Sequence, residues 1–185
     1  MYNQISSYIT LIFKKMEPMN KFRSVFSFPN PVNEVAARLV AAMVFFLSIS
    51  YLFTGELWVL ILLVYGFAAR VATGPTLSPM GILATRFLAH RIATPKLVPG
   101  PPKRFAQSIG LFFSMAATIT HMGLPADVSI GGETLATALI AILTVFAGLE
   151  SFLGFCAGCF VFKRMMDWGL IPESVCEACV VGDQS

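Results

Sequence analysis

Apolar residues run along this chain in four long blocks, about 36–54, 57–72, 105–124 and 135–158, separated by short polar or proline-rich segments. A helix rising about 1.5 Å per residue needs roughly 20 apolar residues to cross a bilayer core, so the pattern predicts four transmembrane helices. Asn30 and Pro31 supply a cap and a first-turn proline for the first span. The turn Thr54-Gly55-Glu56 is so tight that the first two spans form an antiparallel hairpin. The fourth block stays apolar through Phe162, longer than a bilayer requires, so its last turns are expected to protrude into the headgroup layer. Those turns carry Cys156 and Cys159.

The segments between the blocks have their own patterns. In residues 1–27, Ile5, Tyr8, Ile9, Ile12 and Met16 fall at helical spacing, which predicts an interfacial helix; a start at Met16 or Met19 would dispense with it. No cleavable signal peptide is expected, because the first residues lack a basic start. Between spans two and three, Ser78 and Pro79 start a second interfacial helix, with Met80, Leu83, Phe87 and Leu88 on one face and Arg86, His90 and Arg91 on another. A stiff proline segment through Pro99-Gly100-Pro101-Pro102 follows. The organisation is therefore an N-terminal segment (1–27), a membrane domain (28–165) and a cytoplasmic tail (166–185), in an all-α membrane protein.

Composition agrees. The chain is 56% hydrophobic and 12% charged, and a soluble domain carries roughly a quarter charged residues. The basic residues cluster before span one (Lys14, Lys15, Lys21, Arg23), between spans two and three (Arg86, Arg91, Lys96, Lys103, Arg104) and after span four (Lys163, Arg164). The positive-inside rule then puts both termini on the cytoplasmic side of the membrane. No basic stripe with interleaved aromatics is present, so nucleic acid is not an expected partner; the bilayer is.

Arg38, Arg70, Gln107 and Glu150 lie at similar depths, one per span. Ionisable groups at such depth are costly unless paired, so Glu150 is expected to pair with Arg70 or Arg38, leaving one excess positive charge to favour a thiolate at Cys156. Alternatively the two arginines reach up to lipid phosphates. All four cysteines form two Cys-x-x-Cys pairs, Cys156/Cys159 and Cys176/Cys179, with sixteen residues between. Three readings stand: a thiol relay in which Cys176 and Cys179 resolve or deliver, a four-thiolate zinc site on a scaffold, or small buried side chains. On the reducing side permanent disulfides are not expected. His90 and His121 lie too far away to serve this corner, and a transporter is disfavoured by the single buried acid.

Four motifs in order carry a resemblance: Phe28-Pro29-Asn30-Pro31-Val32-Asn33, Gly66-Phe67-Ala68-Ala69-Arg70 with Gly74-Pro75 and Ser78-Pro79, Gly100-Pro101-Pro102-Lys103-Arg104-Phe105-Ala106-Gln107, and Gly154-Phe155-Cys156-Ala157-Gly158-Cys159. Over roughly residues 28–165 the chain resembles a bacterial membrane family catalogued as domain of unknown function 4395. The resemblance implies a small multi-span protein without an established activity, with Arg70, Cys156 and Cys159 in the shared pattern. Genes for rhodanese-type sulfurtransferases and thioredoxin-like proteins often neighbour such members, which implies thiol or sulfur handling with a soluble partner docked on the basic loop Arg86 to Arg104. A homo-oligomer or a subunit of a larger complex is compatible with so small a bundle.

Overall fold

The computed structural model describes residues 28–92, 94, 96–123, 132–176 and 179. The proposed N-terminal helix and most of the loop carrying Asp127 fall outside them. The described residues are mostly helical. A two-residue strand β1 (Val32–Asn33) leads into α1 (Glu34–Thr54) and α2 (Leu57–Thr73). Next comes α3, residues 79–92, whose α-helical ends Pro79–Ile82 and Ala89–Ile92 flank a π-helical stretch Leu83–Leu88. Strand β2 (Leu97–Val98) precedes α4 (Gly100–His121), and α5 (Gly132–Gly148) continues through a π-helical turn, Leu149–Leu153, before α6 (Ala157–Asp167). A 3-10 turn, Glu173–Val175, ends the described tail.

Helix α4 packs against α2 and α5, α5 packs against α1, and α1 closes on α2, giving an antiparallel four-helix bundle. Val40, Val44, Leu60, Leu63, Phe67, Ile140 and Leu143 form its centre. Glu34–Thr54 and Gly132–Leu153, of 21 and 22 residues, are long and apolar enough to cross a membrane; Leu57–Thr73 is apolar but shorter.

Three boundaries differ from the sequence pattern. First, Asn30 does not cap α1. The Asn30–Pro31 peptide is cis, β1 pairs antiparallel with β2 (Val32 opposite Val98), and Asn33 becomes the cap, its side chain accepting from the Val35 N–H at 3.0 Å. Asn30 instead accepts from the Gly100 N–H at 3.1 Å, tying the start of α1 to the start of α4. Second, α4 begins at Gly100 and not near Phe105, with Pro101 and Pro102 in its first turn, where a missing N–H costs nothing. Third, the fourth apolar block is two helices. Gly154, at φ 71°, ends α5 in the left-handed conformation, and Cys156 starts α6.

The face of α3 also differs. Ser78 caps it as expected, accepting from the Gly81 N–H, but its buried positions are Gly81, Ala84 and Ala89. Leu83 and Phe87 are exposed. Small residues let α3 lie close on the bundle, with Gly81 against the Pro75 backbone.

Gly110 marks the closest approach of α2 and α4: a Cβ there would overlap the Phe67 ring. Gly110→Leu is expected to lower unfolding stability in detergent by about 1–3 kcal/mol, the usual range for overpacking a tight core, whereas the same change at half-buried Gly123, where a Cβ would meet nothing, would act only through its local turn.

Candidate functional site

The four chain ends that meet at one end of the bundle are the N-termini of α1 and α4 and the C-termini of α2 and α5. Helix α6 starts there. Its first residues are held against α4 because Gly158 has no side chain: a Cβ at that position would sit 2.6 Å from the Ala106 Cα. One turn further along, the rings of Phe105 and Phe162 meet with centroids 5.6 Å apart. The glycine inside Cys156-Ala157-Gly158-Cys159 is thus a packing requirement of this corner.

Cys156 is the N-cap of α6. Its sulfur accepts from the Cys159 N–H at 3.4 Å, and the Cys159 thiol donates to the same sulfur. Both cysteines are free and half-buried. A sulfur at a helix N-terminus faces unpaired N–H groups and the positive end of the helix dipole, and both favour its thiolate.

Beneath them lies a buried ion pair. Lys103 Nζ and Glu150 Oε1 are 2.7 Å apart, with 9% and 13% of the two side chains exposed. Both charges act on the cysteines. The hydrogen bond from Cys159, with help from Lys103, holds Cys156 below the ordinary thiol range against burial and the Glu150 charge. Cys159, which donates that bond and is itself buried, is pushed up. The arrangement favours the thiolate at Cys156 over that at Cys159.

The polar layer exists, with different partners from those expected. Glu150 pairs with neither Arg70 nor Arg38. Arg38, on α1, donates to the Ser151 carbonyl from Nε at 3.3 Å and Nη2 at 3.2 Å, and to the Phe152 carbonyl at 3.1 Å. It satisfies carbonyls left open where α5 ends, a favourable place for a cation. Arg70 donates from Nε to Gln107 Oε1 at 2.7 Å and from Nη1 to Ser78 Oγ at 3.4 Å. Its guanidinium lies 4.5 Å from the centre of the Phe67 ring.

Lys103 is the residue that sequence reasoning missed as a site member. Counted as a loop cation outside span three, it belongs to the first turn of α4. Lys103 and Gln107 are four apart and share a face of α4. The signal was available in Pro101 and Pro102, which mark the first turn of a helix and so place Lys103 inside it.

Cys176 and Cys179 are joined by a disulfide, against the expectation of reduced thiols, with Cα atoms 5.3 Å apart. A residue spacing of three at the end of a 3-10 turn brings the two within bonding range. No group of three or more His, Cys, Asp or Glu side chains among the described residues is arranged to hold a metal. His121 bonds through Nδ1 to the Tyr51 hydroxyl at 3.0 Å, towards the other end of the bundle.

The family described as Domain of unknown function (DUF4395) matches residues 32–167. The match runs from β1 to the last residue of α6 and includes Arg70, Lys103, Glu150, Cys156 and Cys159, but not Cys176 or Cys179. No curated protein and no solved structure matches the chain. By the extent of that match, over the whole bundle and its dithiol corner, the chain belongs to the DUF4395 family.

Proposed function

We propose that the chain is a four-span protein of the bacterial cytoplasmic membrane, with both termini in the cytoplasm, and that Cys156 and Cys159 form a dithiol exchanging electrons or sulfur with a soluble protein. The observation that carries this reading is Cys156 as the cap of α6, its sulfur accepting from the Cys159 N–H with the Cys159 thiol beside it. A structural cysteine needs no such surroundings; a reactive one does.

The membrane placement is supported by the bundle's outer surface. Phe46, Phe53, Ile61, Leu62, Phe112, Met115, Leu135, Ile142 and Val145 are all exposed, and they lie on all four long helices. A patch of that extent is what lipid covers. At the cysteine end, Arg86, Arg91, Lys96 and Arg104 are exposed on and after α3 and at the start of α4, which suits a cytoplasmic face and an acidic surface on a thioredoxin-like or rhodanese-like partner.

In the exchange, the Cys156 thiolate attacks one sulfur of the partner's disulfide. A mixed disulfide forms and the partner's other sulfur leaves as a thiolate, which takes up a proton. Cys159 then gives up its proton and attacks the Cys156 sulfur, closing the Cys156–Cys159 disulfide and releasing the partner as a dithiol. The reverse sequence oxidises the partner. After that reverse sequence the reduced Cys156 and Cys159 would pass their two electrons to the Cys176–Cys179 disulfide on the tail, which would serve as the resolving pair while Cys156–Cys159 returns to the disulfide.

Two predictions follow from the roles of the two sulfurs and the two charges. Cys159→Ser should accumulate a mixed disulfide between Cys156 and an oxidised thioredoxin-like protein, seen as a reductant-sensitive band on a gel, and Cys156→Ser should accumulate none. Equal trapping by both variants, or by neither, would remove Cys156 as the nucleophile. The second concerns pH. Lys103 lowers the Cys156 titration and Glu150 raises it, so Lys103→Met should move the pH midpoint of Cys156 alkylation up and Glu150→Gln should move it down. Each unit upward cuts the thiolate present at neutral pH about tenfold. Shifts of the same sign in both variants would mean that the charges act only by holding the fold.

A further inference from the structure

A cavity of about 200 Å³ lies between α1, α2, α3 and α4. Its polar lining includes Arg70, Lys103 and Thr85, and its walls are apolar, among them Pro31, Ala36 and Val40. Arg70 is 5% exposed. Its Nε and Nη1 are bonded to the neutral groups of Gln107 and Ser78, but Nη2 is buried and has no hydrogen-bond partner.

The charge count points the same way. Among the described residues no acid is ion-paired with Arg70. Glu150 is near enough for its charge to act on Arg70, yet its carboxylate is taken by Lys103 at 2.7 Å. One buried positive charge is left without a counter-ion, an unfavourable state unless an anion supplies the partner. A guanidinium nitrogen with an open N–H is a fitted donor for an oxyanion, and apolar walls beside it exclude water and accept hydrocarbon.

We propose that this cavity binds a small amphiphilic oxyanion, a carboxylate or phosphate head on Arg70 Nη2 with a short apolar body along the α1 wall. The chemistry is the same whether the anion is a lipid headgroup or a soluble organic acid. The site stands apart from the thiol reading and survives its failure, since no cysteine lines this cavity.

The test uses the full chain purified in detergent, with thermal unfolding followed at constant ionic strength and bound lipid counted by native mass spectrometry. Sodium hexanoate should raise the unfolding midpoint to a saturating value, and hexanol, the uncharged analogue, should not. Arg70→Gln should abolish the shift, and Arg70→Lys, which keeps the charge but loses the guanidinium fork, should weaken it tenfold or more. Ala37→Leu fills the cavity and leaves Arg70 and its partners in place, so it should abolish binding in a protein that still folds. A lipid adduct present in the wild type and lost in Ala37→Leu would assign the site to a headgroup, and a hexanoate shift without an adduct would assign it to a soluble acid. No shift in adduct-free protein, or an adduct or a shift unchanged in both Arg70→Gln and Ala37→Leu, would overturn the proposal.

Discussion

The ion pair between Lys103 and Glu150 is the contact on which the functional end of this bundle depends. It joins the first turn of α4 to the π-helical last turn of α5, and both side chains are almost wholly removed from water. A pair in that setting gains little net stability over apolar packing, but losing one member strands a buried charge at a cost of about 3–5 kcal/mol. Position is therefore what it secures. With α4 and the end of α5 held together, the chain that leaves α5 must turn at Gly154 and begin α6 directly beside the pair. Cys156 then meets two opposed charges at close quarters, and small changes in either one tune its thiolate.

The helix break is the second constraint. A continuous helix through residue 162 would carry Cys156 and Cys159 as ordinary neighbours on one face. Instead the left-handed Gly154 closes α5, Arg38 takes up its last carbonyls, and the interruption turns Cys156 into a helix cap. The difference is chemical: a cysteine within a helix has its backbone N–H groups spent, and a capping cysteine has them aimed at its sulfur. Gly158 then allows α6 to lie on Ala106 so that the capped end stays over the ion pair. Three features of the short Gly-Phe-Cys-Ala-Gly-Cys motif thus serve one geometry.

Much of the fold was legible in the apolar blocks. The expected spans 36–54 and 57–72 fall within a residue or two of α1 and α2, because helices with apolar sides are set by local pattern and end at Gly55 and Gly74. The start of α3 at Ser78 and Pro79 was legible for the same local reason. What could not be read were contacts between distant segments. The β1–β2 pairing displaces the cap of α1 from Asn30 to Asn33, and nothing near Asn30 announces Leu97 or Val98. Glu150 takes Lys103 over Arg70 or Arg38 because those arginines already have carbonyl, amide and hydroxyl partners, a competition that residue depth alone does not reveal. The reduced state expected of Cys176 and Cys179 rested on compartment, and the bonded pair reflects their spacing.

The most direct test of this account is the redox behaviour of the two bundle cysteines in native membranes. Membranes equilibrated in glutathione buffers of stepped redox poise would be acid-quenched, alkylated, and analysed by mass spectrometry for Cys156 and Cys159 separately. The account predicts that both thiols disappear together in a single two-electron step, as an internal Cys156–Cys159 disulfide. Independent loss of the two as separate glutathione adducts, or thiols that stay alkylatable at every poise, would contradict it.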